Sequence, residues 1–306
     1  MKGENQNSSG YFLILGFSDL PEMQVPLFGA FVMVYLVTWV GNLLIIATVY
    51  SNAQLQTPMY FFLTNLSFVD ISLTTVIFPR MLAGFFQEGT WISFTQCLTQ
   101  MHFFMAMMAV EFYILTVMAY DRYIAICHPL RYMTIMNHSV CMWLASASWV
   151  MGLIEPIGHT IAMSKISFCE SHTINHFFCD IAVLMKLSCS STLTIELLTY
   201  IMGTLITMMS FVLIITSYVN IISSILKIQS DTGRRKAFST CASHLTVVFL
   251  VYGSIFAAYF RPASTLSDNR ISSLAYIAIA PVCNPVIYSL KNTELKKALR
   301  KNKNSS

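Results

Sequence analysis

Long apolar stretches separated by short polar ones dominate the chain, and seven of them approach the roughly 20 residues a helix needs to cross a hydrocarbon core about 30 Å thick. They run Pro26 to Tyr50, Met59 to Phe78, Cys97 to Ile126, Val140 to Ile161, Leu197 to Ile225, Lys236 to Phe260 and Ile271 to Leu290. The second and seventh carry several polar residues, so spacing and flanking turns place them as much as hydropathy does. The pattern predicts an all-α membrane protein, a bundle of seven transmembrane helices over residues 26–290. Composition agrees: 56% of residues are hydrophobic and 10% charged, against roughly 25% charged in soluble domains, and the mean hydropathy is +0.63.

The formal charge of +4 does not point to nucleic acid, because the basic residues sit in short runs between apolar stretches and form no basic face. The opening MKGENQNSSG lacks the apolar core of a cleaved signal peptide, so the first span is expected to act as its own insertion signal. Seven spans put the two ends on opposite sides, and lysine and arginine choose between them. Of 18 such residues, twelve follow the third, fifth and seventh spans: Arg122, Arg131, Lys227, Arg234, Arg235, Lys236 and six in the tail 291–306. Those segments face the cytoplasm, and the arm 1–25 lies outside. The tail is expected to open with a short amphipathic helix. Asn7-Ser8-Ser9 in the arm is a glycosylation acceptor. Of eight cysteines, Cys97, Cys169, Cys179 and Cys189 lie on the outer side, the last three within the loop 162–196; four oxidisable cysteines allow three pairings.

Several polar residues fall where lipid makes them costly, which marks each as a candidate functional group. Asp121-Arg122-Tyr123 closes the third span at the cytoplasmic boundary. An isolated Arg could simply snorkel, but an adjoining carboxylate makes the pair a plausible lock between helices, released when something displaces it. Asn284-Pro285 and Tyr288 in the seventh span predict a hinge: proline removes one backbone hydrogen bond, and the two polar side chains share its face. Tyr218 in the fifth span could supply a matching hydroxyl. Asp70 and Glu111 should lie at similar depth. With Asn42 and Asn284 they form one interior polar cluster, in which the two acids either share a proton or bind a small cation such as Na⁺. No other metal or cofactor is expected. Glu155, beside Pro156, is either a solvated rim residue or part of a pocket wall.

On the third span Phe104, Met105, Met108 and Phe112 follow helical spacing, and Phe104 stands five turns from Arg122 on the same face. Such a stripe is more often packing than a site, yet soft methionine surfaces also suit adaptable small-molecule pockets. Tyr252, Ile255 and Tyr259 share a face of the sixth span. With Met202 and Ile206 from the fifth and Ile277 from the seventh they would close an apolar pocket carrying one or two hydroxyls.

Read together, these motifs resemble those of the rhodopsin-like G protein-coupled receptors and, more narrowly, of the vertebrate odorant receptors tuned to air-borne volatiles. The resemblance covers all seven spans. It rests on Leu55 to Leu63 (LQTPMYFFL), Met118 to Cys127 (MAYDRYIAIC), Ser217-Tyr218, Lys236 to Leu245 (KAFSTCASHL) and Pro281 to Leu290 (PVCNPVIYSL). Gln56, Val251, Lys291 and Cys283 depart from the usual residues without removing a motif. The resemblance implies bridges Cys97–Cys179 and Cys169–Cys189. It also implies a small odorant as ligand, and coupling through Arg122 to the olfactory, stimulatory G protein, which raises cyclic AMP at the plasma membrane of sensory cilia. A light receptor would need a lysine in the seventh span, and an amine receptor an acid at Phe104. A non-olfactory receptor of the same type is the nearer alternative. A transporter is the more distant one, because intramembrane acids and a proline-broken helix also suit ion pathways, but no inverted repeat is visible. No H-E-x-x-H, G-x-S-x-G or phosphate-binding loop points to an enzyme.

Overall fold

A computed structural model describes residues 10–87, 89–168, 172–259, 270–291, 295 and 298. Seven helical columns follow one another: α1 (Gln24–Ser51), α2 (Pro58–Ala83), α3 (Phe94–Cys127), α4 in two pieces (His138–Ile154 and Ile157–Ser164), α5 (Leu193–Leu226), α6 (Asp231–Tyr259) and α7. The last comprises Arg270–Leu274, a π-helical turn over Ala275–Ile279, and Ala280–Lys291. The first five are each long and apolar enough to span a bilayer, and α6 and α7 contribute the shorter apolar stretches Cys241–Phe256 and Tyr276–Tyr288. Every helix reaches beyond its hydropathy-defined core. α6 starts five residues before Lys236 because Asp231, Arg234 and Arg235 suit a helix that projects into water.

Local chemistry sets several boundaries. Pro58 opens α2, where its missing N–H costs nothing. Ser93 caps α3 by accepting from the Gln96 amide while the Gln96 side chain accepts from the Ser93 amide. Asn137 caps α4 at 3.0 Å from the Val140 amide. Pro156 interrupts α4 between Ile154 and Ile157.

The columns are not equivalent. α2 and α3 bury 61% of their most apolar stretch, whereas α1 buries 22% and α5 only 11%. α3 is therefore the central post, packed against α2, α4 and α5. Close approach is purchased at two glycines. A Cβ on Gly152 of α4 would overlap the Val110 side chain and stand 2.8 Å from its backbone nitrogen, and one on Gly41 of α1 would stand 2.9 Å from the Pro285 ring.

The outer arm is more ordered than a polar terminus suggests. β1 (Tyr11–Ile14) is the centre of a three-stranded sheet, antiparallel to β2 (Thr90–Ser93) and parallel to β3 (Thr173–Ile174). Phe12 and Ile14 point inward from β1, the period-two alternation of a half-buried strand. Gly16 then turns the chain at φ 60°, a conformation that favours glycine. Phe17 inserts among Phe31, Phe85 and Phe177 with ring centroids 5.5–5.6 Å apart. Arg270 ties the arm to the start of α7, donating to both Asp19 oxygens at 2.6 Å and to the Gly16 carbonyl at 3.0 Å.

Arg270, by hydrogen bond and charge, holds the Asp19 carboxyl below its ordinary range. Its stabilising contribution is thus complete above the unfolded value of about 3.9 and is lost as pH falls through the lowered one. Asp19 is 47% exposed, so the pair contributes no more than about 1 kcal/mol. Asp19→Asn is expected to speed hydrogen exchange at Leu13 and Leu15 between pH 5 and 7 by roughly fivefold, an effect that protonating Asp19 in acid reproduces in the parent. Equal exchange in parent and variant at neutral pH would refute the latch.

Candidate ligand pocket and coupling switch

The two halves of the candidate site hang on α3. In the outer half, Phe104 is 5% exposed and meets Phe178 edge-on at 5.0 Å and Tyr276 at 5.8 Å. The Cys97–Cys179 bridge forms as the resemblance implied and pins the outer loop to α3, which brings Phe178 over Phe104. The Cys179 amide also donates to Gln100 of α3 at 3.1 Å. Cys189 is disulfide-bonded as well, while Cys169 and Asn7 lie outside the described residues.

One layer deeper, Tyr252 of α6 lies between Phe112 of α3 at 5.1 Å and Phe211 of α5 at 5.4 Å. Ile255 and Ile277 are buried beside it, and Met105 and Met108 are half-buried against the same core. Ile206 is half-buried on α5. Met202 falls on the outer side of that helix at 36% exposure, so it closes no interior wall here. The reason is that α5 presents most of its outer half to lipid. Tyr259 ends α6, and its side chain lies outside the description. Phe178, Tyr276 and Phe211 were not singled out from sequence, although Phe178 adjoins a bridged cysteine and Tyr276 adjoins Ile277. Glu155, at the break in α4, is half-buried and close enough to Tyr113 of α3 to act on it electrostatically.

In the middle of the bundle Asp70, Asn42, Glu111 and Asn284 are all buried. Asn284 donates from its side-chain amide nitrogen to both Asp70 oxygens at 3.1 and 3.0 Å. Asn42 donates to the carbonyls of Thr38 at 3.0 Å and Pro281 at 3.3 Å. The second of these carbonyls is freed because Pro285, four residues on, has no N–H to give it. Glu111 lies close enough for its charge to act on Asp70. The Oε1 of Glu111, the Oγ of Ser67, the side-chain oxygens of Asn42 and Asn284 and the Tyr288 hydroxyl have no hydrogen-bond partner among the described residues. Two acids and several oxygens without a hydrogen-bond partner are groups that could hold a small hard cation or a shared proton.

At the inner end Arg122 meets Asp121 at 3.1 Å, with Arg122 12% exposed and Asp121 fully buried. The second Asp121 oxygen accepts from the Tyr132 hydroxyl at 2.8 Å. Tyr132 stands in the second inner loop, beyond any helical periodicity that links it to Asp121. Tyr123 turns away and its hydroxyl pairs with His128 at 3.2 Å. Tyr218 does not reach Tyr288. Its hydroxyl lies 2.8 Å from Nδ1 of His244, whose Nε2 lies 3.1 Å from the Leu115 carbonyl. A carbonyl can only accept, so Nε2 carries the hydrogen and Nδ1 accepts from Tyr218. One neutral imidazole thereby joins α3, α5 and α6. His244 stands within the motif Lys236 to Leu245, but nothing in the spacing predicted its partners.

These features define a multi-pass helical membrane receptor, with an aromatic cluster in its outer half, a polar middle and an Asp121–Arg122 ion pair at the inner face. A family model described as olfactory receptor matches residues 31–303. The chain is 48% identical over 303 residues to olfactory receptor 1G1 of Gorilla gorilla gorilla, covering 98% of this chain and 97% of that one. It is 46% identical over 302 residues to olfactory receptor 1L1 of Homo sapiens, at 98% and 84% coverage, and 45% identical over 303 residues to olfactory receptor 8A1 of Mus musculus, at 98% of both. The chain belongs to the olfactory receptor family of G protein-coupled receptors, and is not an enzyme.

Proposed function

We propose that this receptor takes a small, mostly apolar volatile between α3, α5, α6 and α7, and activates the stimulatory olfactory G protein to raise cyclic AMP in the ciliary membrane of olfactory sensory neurons. The observation that carries the reading is the continuity of α3. Phe104, Met105, Met108 and Phe112 pack in or against the core of its outer half, Glu111 is buried in the middle and Asp121-Arg122 stand at its inner end, all on one helix. The outer half supplies apolar contact through Phe104, Tyr252, Ile255, Ile206 and Ile277, with Tyr252 and Tyr259 as hydroxyls that could orient a polar group on the ligand.

Activation is a population shift. A ligand that fits better when α6 has moved outward favours that state by its differential affinity alone. The movement separates His244 from Leu115 and Tyr218, exposes the pocket beneath Arg122 for the G protein, and bends α7 at Asn284-Pro285, where Tyr288 follows. The cluster of Asn42, Asp70, Glu111 and Asn284 would hold Na⁺ or share a proton in the closed state. Cation and agonist would then oppose one another through linkage.

The test is cyclic AMP in cells carrying this chain with the stimulatory olfactory α subunit, against a broad volatile panel, with surface density measured. A dose-dependent rise is expected, and Arg122→Ala should cut it at least about tenfold at equal surface density. An odorant response that survives Arg122→Ala in full would refute the coupling role of the inner lock.

A further inference from the structure

Near the outer ends of α2 and α3 lies a recess of about 410 Å³, lined among others by Val76, Pro79, Arg80, Gln96, Thr99 and Phe103. Thr95, Gln96, Thr99 and Phe103 are exposed, Phe103 by 44%. Arg80 stands three residues from the outer end of α2 and Gln96 two from that of α3, so both lie about 3–5 Å below the helix ends. Phe103 and Thr75 lie some 12–14 Å below those ends. Polar groups therefore cluster at headgroup depth, and the aromatic ring stands where acyl chains begin.

Arg80 is the cation of the recess, and no described carboxylate pairs with it. Two of its donors reach neutral acceptors at long range, the Trp91 carbonyl at 3.3 Å and the Gln96 carboxamide oxygen at 3.2 Å. A guanidinium has five donors, so three remain, in the planar geometry that suits a phosphate. Gln96 spends its oxygen on Arg80 and on the Ser93 amide, which leaves its NH₂ group as a further donor. The other polar groups are occupied: Thr99 by the Thr95 carbonyl at 2.8 Å and Gln100 by the Val76 carbonyl at 2.9 Å. Trp91, whose backbone carbonyl Arg80 holds, exposes 63% of its surface at the outer end of the same strand-to-helix connection. An exposed indole can cover a quaternary ammonium.

We propose that this recess binds a choline phospholipid of the outer leaflet. Its phosphodiester sits on Arg80 and Gln96, its choline against Trp91, and one acyl chain runs along Pro79, Val76 and Phe103. Zwitterionic lipid is the occupant because anionic lipids concentrate in the opposite, cytoplasmic leaflet. The bound lipid bridges the outer ends of α2 and α3, beside the strand β2 that joins them.

The test uses the full chain in phosphatidylcholine vesicles doped with a phosphatidylcholine that carries a diazirine on one acyl chain, with adducts mapped by mass spectrometry. Adducts on residues 75–79 and 95–103 are expected to exceed those at Phe249, a lipid-facing residue of α6 that is 76% exposed. Arg80→Gln should lower them about tenfold, as loss of a charged phosphate contact does. Thr99→Trp, which fills the recess without touching the Arg80 contacts, should lower them similarly and decides alone if Arg80→Gln fails to reach the membrane. Excess glycerophosphocholine in solution should compete weakly. Labelling no higher than at Phe249, labelling indifferent to the variants, or full competition by the soluble headgroup would each overturn the proposal.

Discussion

Replacing His244 with phenylalanine is expected to raise ligand-independent cyclic AMP well above the parent level at equal surface density. The imidazole makes two buried hydrogen bonds, to the Leu115 carbonyl and from the Tyr218 hydroxyl, and phenylalanine keeps the ring volume while removing both. Each bond contributes about 1 kcal/mol net in a buried setting, so the closed state loses about 2 kcal/mol, or roughly 30-fold in the ratio of closed to open. Tyr218→Phe breaks one of the two and should raise the basal signal less. The double variant should add little to His244→Phe, because both remove the same contact. A variant that also carries Arg122→Ala should be silent, which separates release of α6 from nonspecific effects on expression. Basal cyclic AMP unchanged in His244→Phe would show that the clamp does not restrain activation.

Gly152→Val should prevent most of the protein from reaching the cell surface. The added Cβ meets the Val110 side chain and also the α3 backbone, with the nitrogen at 2.8 Å and Cα at 3.1 Å. No rotamer change can relieve a backbone contact, so α3 and α4 must separate, at a cost of about 3 kcal/mol or more. Gly41→Ala offers the comparison, since its Cβ would meet only ring atoms of Pro285 at 2.9 and 3.0 Å. That contact can relax through a small shift of α7, and the loss should be partial. Surface staining and the melting temperature in detergent measure both. Parental values for Gly152→Val would mean that α4 is free to move away from α3.

The helices were readable because each is a long apolar run in a solvent that rewards little else, but Pro58 and the caps Ser93 and Asn137 start α2, α3 and α4 one to three residues before the apolar runs do. Pro156 and Pro285 lack the same N–H with different results: α4 breaks at Pro156, although the apolar run continued from Val140 to Ile161, whereas α7 stays helical from Ala280 to Lys291 through Pro285. Asp70, Glu111 and Asn284 could be paired from depth alone, since charge in hydrocarbon has few places to go. What escaped were contacts between segments remote in sequence. Tyr132 on Asp121, His244 between Leu115 and Tyr218, and Phe178 on Phe104 depend on how loops and helices are rotated, which a one-dimensional pattern does not encode. Met202 shows the converse: its spacing fits a pocket-lining position, but the rotation of α5 turns it to lipid. The outer sheet was equally hidden, because Tyr11–Ile14 is too short and too close to a polar terminus to stand out as a strand.

That sheet has a consequence for the order of assembly. β1 is synthesised first yet sits in the middle, between partners about 80 and 160 residues downstream. The strand cannot be seated until four membrane helices have been inserted and the loop after the fourth has been translocated. Until then β1 can pair only with β2 and keeps one edge open, with Phe12 and Ile14 uncovered in the lumen, the kind of segment that quality-control chaperones hold. Substitutions in the loop after α4 would therefore act on biogenesis through the amino-terminal end, and a strand-length peptide matching β1 would compete for the same slot during synthesis while having no place to bind in the finished receptor.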